Sequence, residues 1–248
     1  PQRKNRVISE HERRVIAVHE AGHAIVGEIL EHTDPVHKIT ILPRGMSLGS
    51  TWQLPETDKD LVKRAELIDD ISALLGGRVA EEIVFGEVTT GASNDLERIT
   101  QIARTMVTKY GMSEKLGYLV LGRRHDNPFL GRDYMEDRDY SEEVARMIDE
   151  EVRLIVEECH RRAVGILTQY RSKLDAVVEA LLKQETLERE EFLEVMGDAV
   201  KHKAKGTQEV EPEKDEEELG EKGEQSEPKV DKAKGSLTPD LKPGIAET

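Results

Sequence analysis

The chain has 248 residues, an aromatic content of only 4% and a formal net charge of −15 at pH 7. That acidity argues against a nucleic-acid-binding surface, and a single cysteine, Cys159, excludes internal disulfides and Cys-rich zinc sites. The apolar runs are too short to span a bilayer and no signal peptide is present, while the first residue, Pro1, reads as a cut inside a longer protein.

Ser9 and Glu12 form a capping box, so a first helix is expected over about 10–31, ended by Thr33-Asp34-Pro35. Inside it stands His19-Glu20-Ala21-Gly22-His23, the pattern H-E-x-x-H. Positions i and i+4 share a helix face, about 6 Å apart along the axis, so two imidazoles can close on one metal ion. Glu20 stands beside the first and can reach a water rather than the metal. The competing reading is a solvated helix. The apolar flank of Ile16, Ala17, Ala21, Ala24, Ile25 and Ile29 opposes it, as does the small Ala21-Gly22 pair, which admits a closely packed neighbour.

Residues 37–42 alternate, with Ile39 and Ile41 on one side and Lys38 and Thr40 on the other, and read as a strand. Pro43-Arg44-Gly45 turns into a second strand over 46–54, giving a small hairpin or sheet. Its edge could hold an extended peptide. Asp58 caps a helix over 59–75, and Gly76-Gly77 then leads into 78–85; the pair is expected as a point of close packing under the motif helix. After the loop 89–93 comes a helix over 94–110, with Ser93 as N-cap and Gly111 just past its end. Residues 116–121 read as a short strand and 127–131 as a turn. Helices follow to about Tyr170 from a cap at Ser141, over 173–183, and over 188–196 with Thr186 as start signal. Their apolar stripes are helix packing, and Cys159, in a charged helical run, reads as a partly buried structural thiol and not a nucleophile.

The expected fold is mainly α, with a small β-hairpin or sheet and a C-terminal helical bundle. A domain over 1–202 divides into 1–111, which holds the motif, and 112–202. The remainder, 203–248, has no aromatic residue and four of the nine prolines, so it is expected to be a disordered acidic tail.

An open catalytic zinc site needs a third protein ligand. The metzincin pattern puts glycine and histidine where this chain has Val26 and Ile29, which excludes that class. The other histidines (His11, His32, His37, His125, His160 and His202) lie in polar surroundings and read as surface residues. Acids remain. Glu81 and Glu82 follow a glycine pair on a helix, like the gluzincin arrangement, and Asp95 sits in a first helical turn. Neither spacing is forced, so both stay open.

Four ordered motifs carry a resemblance. They are H-E-A-G-H at 19–23, His37-Lys38-Ile39-Thr40-Ile41-Leu42-Pro43-Arg44-Gly45, Leu75-Gly76-Gly77-Arg78-Val79-Ala80-Glu81-Glu82 and Thr89-Thr90-Gly91-Ala92-Ser93-Asn94-Asp95-Leu96. Over roughly residues 9–200 the chain resembles the peptidase domain of the FtsH family of ATP-dependent zinc metalloproteases. The resemblance implies Zn²⁺ held by His19, His23 and Asp95, with Glu20 as base and Glu82 as a supporting residue behind the ligands. It implies an endopeptidase acting on unfolded or membrane-derived polypeptides, a homo-hexameric ring, and a covalently linked ATPase module. It also implies a place on the cytoplasmic face of a membrane through the full-length protein.

The chain departs from the family in two ways. Ser50-Thr51-Trp52 follows Leu48-Gly49 where the family has an aromatic, and G-x-x-x-x-G-K-[ST] is absent. ATP is therefore expected to act only through a module outside this chain. Two other readings compete: a zinc-stabilised assembly or regulatory module without peptidase activity, and a metal-free helical scaffold. A fourth protein ligand would favour the first of these.

Overall fold

The computed structural model describes residues 8–43, 49–54, 61–124, 136–137 and 139–197. The chain divides into two units, Pro1–Gln208 and Glu209–Thr248, and every element below belongs to the first. The tail at 203–248, the cap at Asp58, the turn at 127–131, His125 and His202 lie outside the described residues. In chain order the elements are α1 (Glu10–Ile29), β1 (Val36–Thr40), β2 (Ser50–Gln53), α2 (Arg64–Phe85), α3 (Ser93–Thr108), β3 (Arg123–Arg124), β4 (Glu136–Asp137), α4 (Glu142–Gln169), α5 (Arg171–Gln184), β5 (Thr186–Glu188) and α6 (Arg189–Met196). The mainly α architecture with a small sheet is the one expected.

The other elements pack around α1, which touches α2, α4, α5, β1 and β2. It starts in the expected capping box. The Glu12 N–H donates to Ser9 Oγ at 3.2 Å, and the Ser9 N–H donates to Glu12 Oε2 at 2.9 Å. Ile16, Ala17, Val18, Ala21, Ala24, Ile25 and Val26 are all buried, so burial wraps the helix instead of forming one stripe. At its far end the Thr33 hydroxyl donates to the carbonyls of Gly27 and Leu30, acceptors the helix leaves open.

Helix α2 begins later than residue 59 and runs unbroken through Gly76-Gly77. Its crossing with α1 explains the glycines. A Cβ on Gly22 would stand 2.3 Å from Gly76 O, and one on Gly76 would stand 2.6 Å from Gly22 O. Two bare backbones therefore touch, and the imidazoles of α1 meet Gly77, the next residue of α2.

The sheet is antiparallel in the order β2-β1-β5. β1 and β2 form the expected hairpin, with Ile39 opposite Thr51. β5 corrects the reading of Thr186 as a helix start. Three residues are too few to show a period; the strand is made by partners, with Leu187 opposite Ile39 and the Thr40 and Thr186 hydroxyls 2.9 Å apart. Among the described residues β1 is thus central and β2 lies at an edge. Glu28 on α1 is buried, accepts the Val36 N–H at 3.1 Å and pairs with Arg189 at the start of α6 at 3.3 Å. That contact ties sheet, motif helix and last helix together.

No strand forms at 116–121. Residues 114–116 turn, and the Leu121 N–H donates to Thr108 O at 2.8 Å, which holds the segment to the end of α3 instead of to a strand. Helix α4 lays Ile148, Ile155, Cys159, Ala163 and Leu167 into the core, and α5 adds Leu174, Val177, Val178 and Leu181. The Cys159 thiol is fully buried, more deeply than expected; burial pushes it up to about 11, so it carries no reactive thiolate.

Candidate metal centre

The His19 and His23 rings stand one turn apart on α1 and meet edge to face, with Nε2 atoms 3.0 Å apart. Asp95, in the first turn of α3, closes the group. Its Oδ2 lies 3.2 Å from His19 Nε2 and 3.4 Å from His23 Nε2. Donors bound at 2.0–2.1 Å to one tetrahedral ion stand about 3.3 Å apart. The three atoms therefore outline one face of a tetrahedron, and two imidazoles with a carboxylate are a donor set that suits Zn²⁺ with a fourth position open. Among the described residues this is the group of three such donors close enough to share an ion.

The shell behind them fits the same role. His19 Nδ1 lies 2.7 Å from Glu81 Oε1, and His23 Nδ1 lies 2.9 Å from Ala73 O. An acceptor at Nδ1 leaves Nε2 as the coordinating nitrogen. A Cβ on Gly77 would lie 2.5 Å from His23 Nε2 and 2.7 Å from His19 Nε2, so only glycine lets α2 close this side of the cluster.

The carboxylate behind His19 is Glu81, not the expected Glu82. One step along a helix turns a side chain by about 100°, and Glu82 points instead to His160 at 3.1 Å and Arg78 at 3.3 Å. A signal for this was present in the spacing: Ala73, Gly77 and Glu81 recur every four residues and share one face. Glu81 does more than hold the ring. Its second oxygen accepts the Thr89 N–H at 2.7 Å, and Thr89 Oγ1 accepts the Gly91 N–H at 3.1 Å. The 3-10 turn Thr90–Ala92 then delivers Asp95. One buried carboxylate thus links a histidine on α1 to the loop that places the acid on α3.

The protein groups load this cluster with charge. Burial works against a charged His19, but hydrogen bonds to Asp95 and Glu81 and the charges of Glu20 and Asp95 outweigh it, and the ring is pushed up to about 9. Burial also opposes the Asp95 carboxylate, yet its bonds to His19 and His23 and the charges of those rings hold the carboxyl well below the usual range. Glu81 is lowered likewise: burial raises it, and the His19 ring and the Thr89 N–H more than compensate.

A cation entering the cluster must therefore displace the His19 proton. At pH 7 binding is expected to release close to one proton per ion, fading as the pH rises past about 9, where His19 is already neutral. Calorimetry in buffers of different ionisation enthalpy reads this directly. Heats at pH 7 that do not depend on the buffer contradict it.

Glu20 is buried beside the cluster at 7% exposure. Burial raises its carboxyl, while His23, the Thr51 hydroxyl and His19 pull it down without reversing the direction. Sequence reasoning missed Thr51, whose hydroxyl on β2 donates to Glu20 Oε2 at 2.7 Å.

Known proteins with similar sequences share this region. The chain is 54% identical over 192 residues to the ATP-dependent zinc metalloprotease FtsH 1 of Conexibacter woesei, covering 77% of this chain and 29% of that protein. It is 54% identical over 196 residues to FtsH 3 of Symbiobacterium thermophilum, with 79% and 31% covered. For FtsH of Thermotoga maritima the identity is 53% over 199 residues, with 80% and 33% covered. The chain thus spans about a third of the length of these curated relatives. The model of Peptidase family M41 matches residues 6–195, from ahead of the capping box to the last helix and across every donor of the cluster, and the chain belongs to that family.

Proposed function

We propose that the chain is a zinc endopeptidase domain in which His19, His23 and Asp95 hold the ion and Glu20 is the general base. The observation that carries this reading is the convergence of three donor atoms at 3.0–3.4 Å, with the buried Glu20 next in sequence to the first of them. When bound, Zn²⁺ supplies Lewis acidity to the scissile carbonyl and to water. Glu20 takes the water proton at a carboxylate oxygen and returns it to the leaving amine. Burial favours that exchange, because it raises the carboxyl toward the working pH. Glu81 and the Ala73 carbonyl keep the two rings turned, and Gly77 keeps the space open.

The substrate in this reading is an extended, unfolded segment that pairs with the outer edge of β2, where backbone hydrogen bonds hold any sequence. β2 lies against Glu20, so a segment there runs past the base. In the whole protein, unfolded or membrane-derived polypeptides would arrive from a covalently linked ATPase module within a homo-hexamer on the cytoplasmic face of a membrane. The relatives' name, which states ATP dependence, and their greater length support the linked ATPase module. No helix among the described residues is long and apolar enough to cross a membrane, and membrane attachment belongs, in this reading, to the rest of a longer protein.

The test is metal removal. Chelated protein is expected to lose cleavage of an unfolded casein and to regain it with one equivalent of Zn²⁺. Cleavage that persists without metal overturns the reading.

A further inference from the structure

We infer that Thr51 is a positioning residue for the reaction: its hydroxyl holds the Glu20 carboxylate from β2, so the strand offered to substrate also aims the base. The inference rests on the reading of Glu20 as general base.

Helix α1 fixes the Glu20 backbone but not the carboxylate, which lies at the end of a long side chain with several rotatable bonds. Gly49, just before β2, and Thr51 within it confine it. The Thr51 hydroxyl lies 2.7 Å from Glu20 Oε2. On the other oxygen, a Cβ at Gly49 would stand 2.7 Å from Glu20 Oε1 and 2.9 Å from its Cγ, so the bare backbone of Gly49 lies against the carboxylate. Alternation along β2 turns Thr51 toward α1. Ser50 and Trp52 lie on the other face, where the Trp52 indole N–H donates to Ser50 Oγ at 3.0 Å.

A hydroxyl suits this place for a chemical reason. It has one donor and two acceptor lone pairs. Toward ionised Glu20 it donates to Oε2. The proton that Glu20 takes from water lies on the side of the carboxyl that faces the reacting groups, where it can pass to the leaving amine. The Thr51 hydroxyl keeps donating to Oε2, with the Glu20 backbone carbonyl 3.1 Å away as its other acceptor. Glu20 thus keeps one anchored geometry through accepting the proton and passing it on. An apolar residue of the same shape cannot donate this hydrogen bond. The bland alternative is that threonine stands here only because a β-branched residue suits a strand, and valine satisfies that equally well.

The discriminating experiment measures Thr51→Val, Thr51→Ser and Glu20→Gln against the parent protein, all zinc-loaded, on one unfolded substrate. Thr51→Val is expected to lower kcat between about tenfold and a hundredfold, with KM and zinc content unchanged. Thr51→Ser restores kcat to near the parent value. A crystal structure of Thr51→Val shows the Glu20 carboxylate turned away from its parent position. An unchanged kcat in Thr51→Val overturns the inference, as does a change in KM alone, which means the residue only shapes the strand. Equal loss in Thr51→Ser and Thr51→Val also overturns it, because a hydroxyl at this position then does not by itself sustain the reaction. If Glu20→Gln cleaves as well as the parent, the reading of Glu20 as base falls and this inference with it. If Glu20→Gln is inactive and Thr51→Val is not impaired, only the inference falls.

Discussion

Glu20→Gln is expected to keep its zinc and to lose about 10²–10⁴-fold in peptide cleavage, the range for removing a general base. The amide matches the carboxylate in shape, so the Thr51 hydroxyl, 2.7 Å from Oε2 in the parent protein, can still donate to the amide oxygen. It cannot take a proton from water. The donor atoms of His19, His23 and Asp95 are untouched, so metal content is expected to equal that of the parent protein. Stability is expected to hold or rise, because burial disfavours the charged Glu20 that the substitution removes. Parallel measurement of zinc by atomic absorption and of unfolded-protein cleavage separates the two effects. Retained cleavage excludes Glu20 as the base.

The second large effect concerns the acids. Asp95→Ala removes one of three ligand atoms and is expected to yield protein that loses zinc on dialysis. Glu81→Gln removes the charge behind His19 but keeps a hydrogen-bond acceptor; it is expected to weaken zinc about 10–100-fold without abolishing binding. Glu82→Gln is expected to leave zinc affinity unchanged, because Glu82 faces His160 and Arg78. A competing chromophoric chelator ranks the three. Loss of metal in Glu82→Gln with retention in Asp95→Ala reverses the assignment.

Local signals made half of this site legible. The capping box set the start of α1, and the spacing of His19 and His23 put both rings on one face. The glycine pair announced close packing, and both members have a contact that demands it: Gly76 on Gly22, and Gly77 on the two imidazoles. Asp95 was not derivable from spacing. It reaches His19 across 76 positions of chain, and no local period encodes such a contact. Resemblance singled it out.

The choice between Glu81 and Glu82 went wrong for a related reason. Both acids follow the same glycines, and only the register of Ala73, Gly77 and Glu81 against the rings separates them. β5 escaped because a three-residue strand exists through its partner, and the half-buried Glu28–Arg189 pair escaped because its halves lie 161 positions apart. Thr51 was hidden inside a segment that reads as an ordinary strand; its meaning comes from what lies under it.

The most direct test of the central claim is a crystal structure of the zinc-loaded protein with anomalous data at the zinc edge. One peak is expected within the His19, His23 and Asp95 group, bonded to both Nε2 atoms and Asp95 Oδ2, with no fourth protein ligand and with Glu20 beside the open position. A fourth protein donor, a peak ligated by Glu82, or a peak away from the two imidazoles would contradict it.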